Sequence, residues 1–161
     1  MANTNSPNMA DLNASPARLA AAKHSGSIVW EIGTTEFTPT AADTLLIARV
    51  PTTAVLHDFE FAFDDNGGTI TMDCGFFEIG NPGTVVDQNA LVTLLDTSTA
   101  ALAMASLRYE TQPIETTGER MWELANLAAE PAFSQMDIGW TVVTGTTPAA
   151  GSVAWRISYT V

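Results

Sequence analysis

Cysteine is almost absent from this sequence: Cys74 stands alone among 161 residues. A single thiol excludes an intrachain disulfide framework and a multi-cysteine zinc site, so the fold must hold by packing. Cations are scarce as well, with 6 Lys plus Arg against 18 Asp plus Glu and a net charge of −12. A surface of that sign repels phosphate backbones and disfavours nucleic acid as a direct ligand. No run approaches the roughly 18 to 20 apolar residues of a membrane span, and the N-terminus lacks the basic-then-apolar order of a signal peptide. The reading is therefore no membrane, with synthesis in the cytoplasm and assembly there.

Catalytic signatures are missing too. Only His24 and His57 could serve a nucleophilic hydrolase, and neither sits in a partner motif. There is no Gly-x-Ser-x-Gly elbow, phosphate loop or dinucleotide fingerprint. Cys74 lies between Met72 and Phe76 at apolar strand spacing, the setting of a small core hydrophobe and not of a reactive thiolate. His57 reads as a partly buried residue on the face of Phe59. The Asp64-Asp65-Asn66 stretch lacks the spacing and the bidentate Glu of an EF-hand and is accounted for as a turn. Paired acids such as Glu119 with Glu123, or Glu110 with Glu115, are expected by chance in so acidic a chain. The expectation is no enzyme, no cofactor and no metal.

What is present is apolar: 46% hydrophobic residues with only 15% charged, thin in charge for a solvated monomer, so some apolar surface is expected to face a partner. The chain is long enough for one core. Residues 1–26 differ from the rest. Their Asp11, Arg18 and Lys23 give +1, leaving −13 for the other 135 residues. The stretch 1–16, rich in Asn, Ser, Ala and Pro, has the composition of an extended arm, and Ala17 to Lys23 could add about two helical turns capped by Ser15 with Pro16 first. Residues 1–26 are read as an extended N-terminal arm and 27–161 as the body. Within the arm, Met9, Leu12 and Leu19 are candidate apolar anchors for a partner, with Pro7 and Pro16 limiting the ordering entropy.

From Ser27 the period becomes two, the signature of strands. Ile28, Trp30 and Ile32 share one face and Glu31, Gly33 and Thr35 the other. Val55, Phe59, Phe61 and Phe63 alternate with Asp58, Glu60 and Asp64; Ile70, Met72, Cys74 and Phe76 alternate with Thr69, Thr71 and Asp73. The Asn66-Gly67 pair between these two runs suits a hairpin loop. Met136, Ile138, Trp140 and Val142, then Val153, Trp155, Ile157, Tyr159 and Val161, mark two terminal strands, with a second hairpin expected over Gly145 to Gly151. On this pattern Trp30, Trp140 and Trp155 are core-facing. Thr44 to Val50 is apolar on both sides and is expected mid-sheet or beneath another subunit. Gln88 to Asp96 and Ala100 to Arg108 fit short helices or strands, and Arg120 to Leu127 fits either period. Many short strands without βαβ alternation predict an all-β fold, a two-sheet antiparallel β-sandwich of jelly-roll type with the N-terminal arm attached.

Three stretches of the body resemble a known group. They are Thr44 to Leu56 (TLLIARVPTTAVL), Phe61 to Gly75 (FAFDDNGGTITMDCG) and Gly118 to Leu127 (GERMWELANL), the last followed by the strands at Asp137 to Val143 and Ser158-Tyr159. Over about 27–161 the sequence is similar to small virion structural proteins of tailed phages, of the capsid decoration or cement type. That resemblance implies a β-sandwich that coats a capsid lattice on the virion surface after synthesis in the host cytoplasm. It also implies binding to the major capsid protein, commonly as a trimer, with no cofactor. Other virion roles (head fibre base, head-tail connector, tail component) and a carbohydrate-binding β-sandwich are the alternatives.

Overall fold

In a computed structural model of the chain, the described residues are 28–79, 83–97, 102–106, 118–146 and 149–161. The arm residues Pro7, Met9, Leu12, Pro16 and Leu19 and the short helix anticipated at 17–23 lie outside them. Among the described residues eight strands follow in order: β1 (Ile28–Phe37), β2 (Thr44–Pro51), β3 (Val55–Phe63), β4 (Thr69–Phe77), β5 (Val85–Asp96), β6 (Leu102–Ser106), β7 (Gln135–Thr146) and β8 (Gly151–Thr160), with a one-turn helix α1 (Met121–Leu124) before β7. They form two four-stranded sheets, ordered β1-β8-β3-β6 and β2-β7-β4-β5, and the pairings within each are antiparallel. Strands β1 to β4 switch sheet one after another, β8 lies between β1 and β3 and β7 between β2 and β4, the wrap of a jelly roll. The all-β sandwich expectation is met.

The two anticipated hairpins are not hairpins. β3 pairs with β8 and β6, whereas β4 pairs with β7 and β5, so residues 64–68 cross from one sheet to the other. The same holds for the passage from β7 to β8. Asn-Gly reports a chain reversal and positive φ, which Gly67 (66°) and Gly68 (54°) supply, but not which sheet receives the next strand. Asn66 is instead fully buried, its backbone N–H donating to the Thr97 carbonyl at 3.2 Å and its carbonyl accepting from Ala149 N–H at 2.6 Å.

The core lies between the sheets and is aromatic at its centre. Phe59, Phe61 and Phe63 project inward from β3 as their alternation predicts, and Trp140 meets them from β7. Its ring is edge-on to Phe63 at 4.8 Å and to Phe61 at 5.0 Å, and 6.1 Å from Phe59. Such edge contacts contribute about 0.5–1.5 kcal/mol each beyond the area they bury. Ile70, Met72, Cys74 and Phe76 of β4 and Met136, Ile138 and Val142 of β7 complete the opposing wall, all buried.

β5 and β6 resolve the Ala- and Leu-rich middle as strands, and Arg120 to Leu127 holds the single turn α1. There Glu123 reaches back to accept from the Arg120 N–H at 2.7 Å, while Met121 N–H donates to the Ala54 carbonyl at 2.8 Å, pinning the turn to the body. Thr44–Pro51 is an edge strand, not mid-sheet. Its two-sided apolarity reflects a bulge between Leu46 and Ala48, with Leu46 lying against Gly139 while Leu45, Ile47 and Ala48 pack on the core. Beside it, Arg49 grips the buried Asp137 through two bonds of 2.7 and 3.0 Å, an interaction that holds its guanidinium even further from deprotonation.

β5 departs furthest from a regular ladder. Between Cys74↔Val92 and Phe76↔Asp87 it carries extra residues that arch over β4. Gly75 is required there, because a Cβ would overlap the backbone of Asp87 and Gln88. The arch explains why Asp73, on the outer face of β4, is nonetheless buried: it accepts from Leu94 N–H at 2.7 Å and from Gln88 Nε2 at 3.1 Å.

Candidate functional site

The chemical candidates are dispersed. Cys74 is fully buried, and burial first, then the neighbouring Asp73, pushes its thiol pKa well up, so it stays protonated and inert. His57 corrects its expectation. A bulge between Leu56 and Asp58 sends Leu56 into the core and turns His57 out to solvent, with Nε2 3.1 Å from Thr160 Oγ1. Among the described residues no group of three or more His, Cys, Asp or Glu could hold a metal ion. A depression of about 160 Å³ lined by Glu36, Asp64, Ala150, Gly151 and Ser152 is smaller than an ordinary small-molecule pocket.

A surface, and not a cleft, stands out. β1 is an edge strand whose side chains are inverted relative to the expectation: Val29, Glu31, Gly33, Thr35 and Phe37 turn toward the sandwich, while Ile28 (58% exposed), Trp30 (54%) and Ile32 (74%) face outward. The partner strand β8 decides the face. Gly33 lies beneath Trp155, whose ring occupies the space a Cβ would need, and Glu31 accepts from the Tyr159 hydroxyl at 2.9 Å. Burial first, then that hydrogen bond and the Glu31 charge, push the Tyr159 pKa up to about 12. Trp155 is accordingly only partly buried, so of the three tryptophans assigned inward Trp140 alone is fully enclosed. An exposed Ile-x-Trp-x-Ile was legible as alternation; its direction was not.

The outward ridge has a held geometry. Arg156, opposite Ile32 on β8, lies over the Trp30 ring at 5.4 Å and forms an ion pair with Glu60 of β3. The Trp30 indole is thereby braced from one side, with Ile28 and Ile32 flanking it. Trp and Arg are the residue types that dominate protein–protein interfaces, and large exposed apolar groups set side by side are the usual mark of a docking face. The free edge of β1 runs beside the ridge: β8 pairs with it over its full length, and among the described residues no strand pairs with its other side.

No protein-family model matches the sequence, and no curated protein matches it. Solved structures do. A chain of the cyanophage Pam1 capsid asymmetric unit aligns with a TM-score of 0.56 at 20% identity, covering 100% of this chain and 99% of that one. A chain of the capsid of Ralstonia phage GP4 aligns with a TM-score of 0.54 at 19% identity, covering 84% of this chain and 83% of that one. This fold is shared with chains of phage capsids. At these identities the likeness is one of architecture.

Proposed function

We propose that the chain is a virion structural protein, a decoration (cement) subunit that binds the capsid surface through protein–protein contacts. The observation that carries the reading is coextension: a phage capsid chain shares this jelly roll across essentially its whole length. The outward ridge of β1, on a body whose described residues hold no clustered metal ligands, favours docking over chemistry. The aromatic residues concentrate in the core at Phe59, Phe61, Phe63, Phe76 and Trp140, which disfavours a sugar-binding face. The major capsid protein is the proposed partner, and a homo-oligomer, a trimer, the proposed state.

Residues 1–26 act in this reading as an extended clamp across a neighbouring subunit, and 27–161 as the body. Deleting residues 1–24 should leave the melting temperature of the body within a few degrees, since a segment short of core-forming side chains contributes little to a core. The same deletion should weaken binding to empty capsids at least about tenfold, or about 1.4 kcal/mol. Undiminished decoration by the truncated protein contradicts the clamp; failure to fold would assign the segment to the sandwich.

A further inference from the structure

The ridge of Ile28, Trp30 and Ile32 is solvent-facing on a strand whose outer edge no described strand pairs. Charge narrows what can cover it. The body carries −13 outside residues 1–26, so a second acidic body is repelled from this face, whereas residues 10–15 bring only the single charge of Asp11.

Pattern narrows it further. Between Pro7 and Pro16 the chain reads Asn-Met-Ala-Asp-Leu-Asn-Ala-Ser, in which Ala10, Leu12 and Ala14 alternate with Asp11, Asn13 and Ser15. This is the period of a strand with one apolar face, and the flanking prolines bound it because proline cannot donate to a ladder. Small Ala10 and Ala14 beside Leu12 complement a ridge of large side chains, as cross-strand neighbours on one face do.

We propose that the β1 ridge is the docking site for residues 10–15 of a neighbouring copy of this chain, added along the free edge of β1 with Leu12 against Trp30. The inference rests on the reading above that the N-terminal segment reaches a neighbour, and it names the receptor and the contact. A neighbour is the source because the segment, in that reading, lies across a neighbouring subunit; residues 16–27 are long enough for a return onto the same β1, and the assay below separates the two. Backbone hydrogen bonds give such strand addition its affinity, and the side chains over the ridge give it register.

The test uses two full-length variants, Leu12→Cys on a mass-tagged chain and Ile32→Cys on an untagged one, mixed under mild oxidation without capsids. Cys74 is buried and does not compete. Docking predicts a mixed disulfide forming at least about tenfold faster than between Leu12→Cys and Thr93→Cys, an exposed position on the other sheet. Adding Trp30→Ser to the Ile32→Cys chain should slow it about fivefold or more while moving the melting temperature by no more than about 4 °C. Equal rates at positions 32 and 93 overturn the proposal. So does a Leu12→Cys/Ile32→Cys double variant that closes on itself as a monomer in preference to joining two chains. With no capsid in the assay, such a failure leaves the capsid-binding effect of the arm deletion standing, and the two readings fall separately.

Discussion

β7 and β1 carry the same kind of sequence, large apolar residues at every second position around a tryptophan, and they use it in opposite directions. Trp140 of β7 is fully enclosed among Phe59, Phe61 and Phe63, while Trp30 of β1 is turned to solvent beside Ile28 and Ile32. β7 lies between β2 and β4, with aromatic rings facing it across the sandwich. β1 lies at an edge, and what it presents inward is Gly33, which makes room for Trp155, and Glu31, which satisfies Tyr159. Alternation separates two faces. The neighbours decide which one is buried, and an edge strand with a large apolar face outward has that face available for assembly.

The comparison breaks most sharply at Trp140. Trp140→Ala should destabilise the fold by about 3–5 kcal/mol, the range of large core truncations, read as a shift in thermal or denaturant unfolding. An unchanged midpoint would remove Trp140 from the core. Next comes Gly33→Val, which should cost about 1–3 kcal/mol by displacing the Trp155 ring, a penalty of overpacking. Combining it with Trp155→Ala should recover part of that loss, since the two changes share one space. Trp30→Ser should shift stability by no more than about 1 kcal/mol, the scale of an exposed cation–π contact, while reducing association through the ridge.

The smallest effect is a pH dependence. Tyr159 has a folded pKa of about 12 against an ordinary value of 10.0, so between those values the folded chain holds a proton that the unfolded chain has lost. Stability from this group is therefore complete below pH 10 and lost as pH rises toward 12. Melting temperatures across that window should fall less steeply for Tyr159→Phe than for the parent chain. Parallel curves would mean that the Glu31–Tyr159 contact does not distinguish the two states.

Much of the architecture was legible because core strands of a sandwich make their two faces chemically distinct. Met136 to Val142 and Ile70 to Phe76 are clear cases, with the expected apolar positions buried. Three things were not legible, for separate physical reasons. Sheet membership was hidden because the turn chemistry at Asp64 to Gly68 encodes a reversal and not the identity of the next partner. The positions of His57 and Leu56 were hidden because a bulge shifts the phase of alternation by one residue within a single strand. The direction of β1 was hidden because it depends on Trp155 and Tyr159, more than a hundred residues away in sequence. The docking ridge follows from that last point, since its residues are those assigned to the core when the strand is read alone.

The central claim, that this jelly roll decorates a capsid lattice, is tested most directly by measuring its copy number in purified virions against the principal shell protein. Quantitative mass spectrometry gives that ratio. Lattice decoration predicts a fixed, high ratio, with copies at every equivalent position of the shell, as symmetry requires. A count matching a single ring, or absence of the chain from particles that are otherwise complete, would contradict it.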